Sequence, residues 1–484
     1  MILHVDTELL RRILSASMPV GARAAELFVE SRVSLAVSVG AGDDGAAARV
    51  ERRWETGAHL RRFWEGRHES FVLDAPTPAS LEALALHPEA VSVEWLGGSA
   101  HLGITRESGP TARLEARLAD ASPWAASGAW SPAWLVAALS VTGTWRDRLA
   151  TLAAATGASL EPVVSLDAHV QEVLVLATDR DPARDTRTFV DLSIGVRGDK
   201  DGRPLSASRT LSAASLEALA RDDGDGRAAD DLVARALRGL EEPAIAEGEM
   251  AVVFASPSGG FLLHEICGHL LEADHVLRGA SPFAGARGEA IASPLLTLAD
   301  DGSIPGMRGS SLFDDEGVAA RRTPLIMEGT LVGFLSDRLT AFATDGISTG
   351  NGRRQSYRDA PMPRMTNLVI DPGRPSFDDI VKDTREGLLV TRLGRGRVDP
   401  ATGRFALAVE EGFVIQAGRP GRVVSGVVLR GTARDLLKLI DAVGCDPRPD
   451  DGAPICLKED QALPFGILQP TLRVSRMTVS GREP

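Results

Sequence analysis

The stretch MAVVFASPSGGFLLHEICGHLLEADH, residues 250–275, sets the reading of the chain. Its opening, Met250–Ser256, is a short apolar run of the kind that forms a strand covered on both faces. Ser256 followed by Pro257 fits a helix start, with serine as cap and proline at the first helical position. The helix then carries Phe261, Leu262, Leu263, Ile266, Cys267, Leu270 and Leu271. His264, Glu265 and His269 interrupt this apolar surface, and polar side chains in such a place need a partner or a function.

Zinc hydrolysis requires two or three neutral imidazole or thiolate ligands, an open position for water and a carboxylate beside that water. The familiar solution places two histidines at i and i+4. Here the second histidine stands at i+5. On a regular α-helix the two would differ by about 140° in direction and about 7.5 Å in rise, too far to share an ion. The spacing therefore predicts a widened turn, or a helix that ends near Gly268; wide single turns recur at functional sites. The plain alternative is a hydrogen bond between Glu265 and His269 at i and i+4, with both histidines structural. For a third ligand the best candidate is Cys456, in the turn-rich segment ICLKEDQALPFGILQPTL that also carries Lys458. Cys267 reads as a small buried hydrophobe and Cys445 as a structural residue at a helix end.

Working outward, 484 residues fit two to four domains. There are 53 basic and 66 acidic residues, a net charge of −13, which disfavours a nucleic-acid partner. Three cysteines do not make a disulfide scaffold. The charged N-terminus lacks a signal-peptide core, and no apolar run nears the roughly 18 residues of a membrane span. A cytoplasmic protein is expected. All seven tryptophans precede residue 146 (Trp54, Trp64, Trp95, Trp124, Trp130, Trp134 and Trp145), so the two parts should have separately built cores. The acidic, glycine-rich RDDGDGRAADD, residues 221–231, marks a connection, and the boundary is set at 1–245 and 246–484.

The first part mixes helices (Thr7–Met18, ASLEALALH, SPAWLVAALS and WRDRLATLAAATG) with alternating strands. AELFVESRVSLAVSVG ends at an AGDDG turn, and two later runs share an antiparallel sheet. In the second part, TPLIMEGTLVGFLSD has a hairpin pattern around Glu328-Gly329 and TARDLLKLIDAVG reads as a helix. The fold class is α+β: a mixed α/β N-terminal domain, then a β-rich C-terminal domain carrying the metal-binding helix.

At this point the sequence resembles a family. His264-Glu265-x-x-x-His269, with Leu271-Glu272-x-Asp274 after it, resembles the HExxxH helix of the TldD/PmbA metallopeptidases. STGNGRRQSYRDAPMPRMTNL, residues 348–368, looks like that family's central block. Cys456-x-Lys458 through Gln469-Pro470-Thr471 looks like its C-terminal cysteine segment. The resemblance covers roughly residues 250–480. It implies Zn2+ held by His264, His269 and Cys456, with Glu265 as general base, in a peptidase that hydrolyses unfolded peptides or small proteins bound as an added strand. It also implies a homodimer or a heterodimer with a TldE-like subunit. The GNGRRQSYR loop offers donors for the tetrahedral oxyanion, with Tyr357 a candidate whose plain role is packing. The rivals are a non-catalytic partner subunit and a binding protein of the gyrase-modulator type. Leu270 and Leu457 depart from the family, which usually has glycine at these places, and they bear on the shape of the pocket.

Overall fold

A computed structural model of the chain describes residues 6–39, 48–64, 67–86, 132–221, 227–238, 245, 247–424, 426–450, 452 and 454–481. The AGDDG turn, Trp95, Trp124, Trp130 and the centre of the RDDGDG connection lie outside them. The architecture is α+β. The chain forms two compact units, one of residues 1–64, 68–240 and 356–358, the other of residues 65–67, 241–355 and 359–484.

In the first unit the elements run α1 (Thr7–Ala16), β1 (Ala24–Val39), β2 (Ala48–Trp64), β3 (Arg67–Asp74), α2 (Pro78–Leu86), α3 (Pro132–Ala154), β4 (Ser159–Ala177), β5 (Arg180–Lys200), β6 (Arg203–Ala213), α4 (Leu216–Arg221) and α5 (Arg227–Arg238). The strands form one sheet in the order β3-β2-β1-β4-β5-β6. Alternation decides which face is covered: Leu35, Val37, Leu166, Leu192 and Ile194 pack beneath Leu135, Trp145 and Leu149 of α3 and Leu232 and Val233 of α5. A second cluster joins Leu10 and Leu14 of α1 to Leu27, Leu60 and Leu176 of the sheet. SPAWLVAALS and WRDRLATLAAATG, expected as two helices, are one. Gly143 between them has open space around it, and a single internal glycine costs about 1 kcal/mol, too little to break a helix packed on a sheet.

The second unit begins with β7 (Gly248–Phe254), α6 (Gly260–Leu263) and α7 (Ala273–Leu277). There follow β8 (Leu298–Asp301), β9 (Arg322–Met327), β10 (Thr330–Leu331), α8 (Arg338–Ala343), β11 (Gly352–Arg353), β12 (Met362–Pro363), β13 (Asn367–Ile370) and α9 (Phe377–Asp383). The last part holds β14 (Glu386–Val398), β15 (Arg404–Gln416), β16 (Arg419–Val424), β17 (Val427–Thr432), α10 (Ala433–Leu439), β18 (Ile440–Val443), β19 (Arg448–Pro449), β20 (Ile455–Lys458), β21 (Gln461–Pro464), β22 (Gly466–Gln469) and β23 (Leu472–Ser480). Pairing runs β14-β7-β23-β17-β15, and β15 pairs back onto β14, so these strands close into a ring. A second sheet has the order β10-β9-β8-β13-β22-β19, and β20 and β21 form a separate hairpin. One large apolar cluster joins the ring (Val252, Phe254, Leu388, Leu407) to Leu262, Leu263, Ile266, Cys267 and Leu270.

The β9–β10 hairpin has the expected turn: Met327 pairs with Thr330, and both Glu328 and Gly329 have positive φ, as a two-residue primed turn requires. Two expectations are corrected. TARDLLKLIDAVG is helical only to Leu439, because Ile440–Val443 pairs with β23 instead. Ser256 does not cap a helix at Pro257. Its hydroxyl donates to the Gln469 carbonyl at 2.6 Å, and the helix begins at Gly260 without a side-chain cap. Helix and sheet approach closely here; a Cβ at Gly260 would lie 2.1 Å from Cγ2 of Ile467.

The next turn is the widened one that the spacing predicts. His264–Gly268 is a π turn, and the His269 N–H donates to the carbonyl of His264, five residues back. A 3-10 turn, His269–Leu271, follows. Gly268 has ordinary helical angles, φ −52° and ψ −61°, so conformational freedom is not its role. A Cβ there would lie 1.8 Å from Sδ of Met365. Gly268→Ala should therefore destabilise the protein by about 1–3 kcal/mol through overpacking. In a Met365→Ala background the same substitution should cost little; equal costs in both backgrounds, by urea unfolding, would refute the packing account.

Candidate metal centre

The π turn brings two imidazoles together. The rings of His264 and His269 have centroids 4.8 Å apart and stand nearly perpendicular, at 77°. The hairpin β20–β21 supplies the third group: Sγ of Cys456 lies 3.0 Å from Nε2 of His269. One ligand atom from each of His264, His269 and Cys456 can be chosen so that all lie within 4.8 Å of one another. Three residues separated by up to 192 positions are thus assembled by one helix turn and one hairpin.

Backbone clamps hold the hairpin in place. Arg364 is buried and donates to the carbonyls of Cys456 (2.7 Å) and Gln461 (3.1 Å). Arg353 donates to the carbonyls of Pro464 (2.9 Å) and Met365. Arg354 binds the carbonyl of Asp315 at 3.2 Å. The arginines expected to offer oxyanion donors are therefore engaged in holding loops together. Asp300 anchors the same region by accepting from Thr366 and Asn351.

The two histidines occupy different surroundings. His264 is fully buried and stacks on Phe465 at 3.7 Å and 18°. Burial, then the neighbouring His269, hold its pKa well below the usual value, so it is neutral. Neither of its ring nitrogens has a hydrogen-bond partner among the described residues. An imidazole buried with both nitrogens unpaired is costly, by about 1–3 kcal/mol for each unmet group, and is suited to receive a ligand. His269 is oriented from behind: its Nδ1–H donates to Oε2 of Glu272 at 3.1 Å. Burial opposes charge on His269, but Glu272 and Cys456 outweigh it and push its pKa to about 10. The surroundings that favour an imidazolium favour a bound cation in its stead. Neutral His264, His269 turned by a carboxylate and a nearby thiol make a donor set that fits zinc.

Glu265, between the two histidines in sequence, is half-buried, and no hydrogen bond to it is found among the described residues. Burial raises its pKa, partly opposed by His269. A carboxylate of raised pKa is suited to take and return a proton near neutrality. Cys267 is fully buried in the apolar cluster, and burial alone pushes its thiol far up, which leaves it a packing residue. Leu270 is buried, and Leu457 points to solvent because alternation along β20 turns Cys456 and Lys458 inward. Tyr357 counts with the first unit. Its ring covers Gly57 and its hydroxyl donates to the Asp74 carboxylate. Sequence reasoning gave no role to Glu272, Lys458, Arg364 or Phe465. All four lay in the quoted stretches, and period-two alternation from Cys456 was the one available signal for Lys458.

Residues 247–481 match the family described as the PmbA/TldA metallopeptidase C-terminal domain. A protein of Haemophilus influenzae named as a metalloprotease TldD homolog is 38% identical over 325 residues, which cover 66% of this chain and 67% of that one. A protein of Methanothermobacter thermautotrophicus named as a metalloprotease is 34% identical and covers 61% of this chain and 64% of its own. Among solved structures, TldE from Thermococcus kodakarensis superposes with a TM-score of 0.70 at 19% identity, covering 98% of this chain and 99% of that one, which shows a shared fold. By its sequence, then, this chain belongs to the TldD/PmbA metallopeptidase family and is a protease.

Proposed function

We propose that the chain is a zinc-dependent peptidase that hydrolyses unfolded peptides or small proteins. His264, His269 and Cys456 hold the ion, and Glu265 is the general base. The observation that carries this reading is the convergence of those three donors, with both nitrogens of His264 unpaired, beside a half-buried carboxylate. Zinc, when bound, lowers the pKa of a coordinated water and polarises the scissile carbonyl. A carboxylate oxygen of Glu265 takes the proton of the attacking water and returns it to the leaving amine nitrogen. Glu272 keeps the His269 proton on Nδ1, so that Nε2 faces Cys456 and the ion.

Extended substrates held as an added strand would present backbone to this centre with little dependence on sequence. In the cytoplasm, pairing with a TldE-like subunit or with a second copy would enclose the site. Tyr357 is the remaining catalytic candidate, as an oxyanion donor after its hydroxyl releases the Asp74 carboxylate. A non-catalytic partner or a gyrase-modulator role has no feature of this site in its favour, since every proposed ligand and the base are present.

Glu265→Gln should retain zinc while cleavage of an unfolded peptide falls by at least about 10²-fold, the usual worth of a general base; full activity would refute the role. Atomic spectroscopy should find one zinc per purified chain and none in Cys456→Ala. Equal zinc in both removes Cys456 from the site. Tyr357→Phe should lower kcat; an unchanged kcat leaves that residue a packing role.

A further inference from the structure

Beside the three ligands lies a second cluster. One oxygen each from Glu272 and Asp274 and a nitrogen of His275 lie within 4.8 Å of one another. Two buried carboxylates and an imidazole have the chemistry of a second cation site, but a cation from the chain is already there. Nζ of Lys458 lies 2.8 Å from Oε2 of Glu272, 2.9 Å from Oδ1 of Asp274 and 3.1 Å from the carbonyl of Pro363. Its three protons thus meet three acceptors. Of the other titratable groups facing the cluster, Nδ1 of His269 is 3.1 Å from Oε2 of Glu272, while Arg278 is 3.8 Å from Oδ2 of Asp274 and Nε2 of His275 is 3.8 Å from Oε2 of Glu272.

Lys458 is also joined to the metal centre by geometry. Residues 456 and 458 share one face of β20, so strand and helix are linked twice, by Cys456 to His269 and by Lys458 to Glu272. A slip of one residue along β20 would turn Leu457 inward and break both links together. Oε2 of Glu272 accepts from both Lys458 and His269 Nδ1, so the ammonium group holds the carboxylate that orients the ligand.

We propose that Lys458 is a positioning residue that takes the place of a second metal ion and, through Glu272, fixes the orientation of His269. The inference rests on the reading that His264, His269 and Cys456 hold the ion. It gives this strand two tasks, ligation through Cys456 and register plus charge balance through Lys458. Removing the ammonium alone would leave the buried Asp274 carboxylate without its close partner and Glu272 with His269 alone, whereas replacing a buried ion pair such as Lys458–Asp274 by uncharged groups of similar volume preserves folding in many proteins.

The test uses the full chain and titrates zinc against a chelator of known affinity, with cobalt as a spectroscopic probe of the thiolate ligand. Wild type should bind one zinc. Lys458→Met should weaken binding about 10–100-fold, the typical cost of losing a group that orients a metal ligand. The double variant Lys458→Met/Asp274→Asn removes the ammonium together with the carboxylate that has no other close partner among the described residues, leaves Glu272 paired with His269, and so tests orientation apart from unpaired charge. Its metal-free form should unfold at a temperature close to that of wild type, while zinc affinity stays reduced and the cobalt–thiolate absorption changes. Wild-type affinity with an unaltered cobalt spectrum in the double variant would overturn the proposal. So would a second zinc in wild type that Asp274→Asn removes while the first remains. If Cys456→Ala binds zinc like wild type, the failure lies in the three-ligand reading itself, and this inference falls with it.

Discussion

Two histidines five residues apart cannot chelate one ion from a regular helix, and the site depends on how the chain escapes that constraint. The escape is one wide turn, in which the His269 N–H reaches back to the His264 carbonyl. The turn and the helix before it are packed closely against their neighbours at two glycines. Gly260 lets the helix sit against Ile467, and Gly268 leaves room for Met365. The strand ring, through Val252 and Leu388, and the second sheet, through Leu298 and Leu368, share one apolar cluster with Leu262, Ile266 and Leu270 of the helix and turn. Remove the close approach and the turn has no reason to stay wide; remove the wide turn and the rings diverge.

The two histidines on that turn sit in opposite surroundings. His264 is stacked on Phe465, neutral, and without a hydrogen-bond partner among the described residues. His269 sits against negative charge and is turned by Glu272, whose own pKa falls to about 2 because His269 and Lys458 outweigh the opposing effect of burial. Binding a cation would satisfy both at once, giving His264 a partner and replacing the proton shared between His269 and Cys456. A site of this kind couples metal affinity to folding, because the unfolded chain has no such arrangement.

Much of this was legible in the sequence, and for identifiable reasons. The i+5 spacing pointed to a widened turn or to a helix ending near Gly268, because a regular α-helix holds the two rings too far apart, and the first of these is what the chain adopts. Strand alternation exposed the long antiparallel sheet of the first unit. Turn chemistry located the Glu328-Gly329 hairpin. The misreadings share one cause, tertiary contact overriding local signal. Ser256 looked like a cap but was claimed by the Gln469 carbonyl. Ile440–Val443 continued a helical pattern but was claimed by β23. The arginines of the GNGRR segment looked available and are engaged with backbone carbonyls. The part of Glu272 was hidden, because a carboxylate three residues past a histidine is unremarkable until the fold buries both.

The central claim is that one ion is shared by two imidazoles of a widened turn and a thiolate from a distant hairpin. X-ray absorption at the zinc edge of the metal-loaded full chain tests it most directly. The account predicts one sulfur at about 2.3 Å and two imidazole nitrogens at about 2.0–2.1 Å, with oxygen completing the shell. A shell without sulfur, or with a single imidazole, would contradict it.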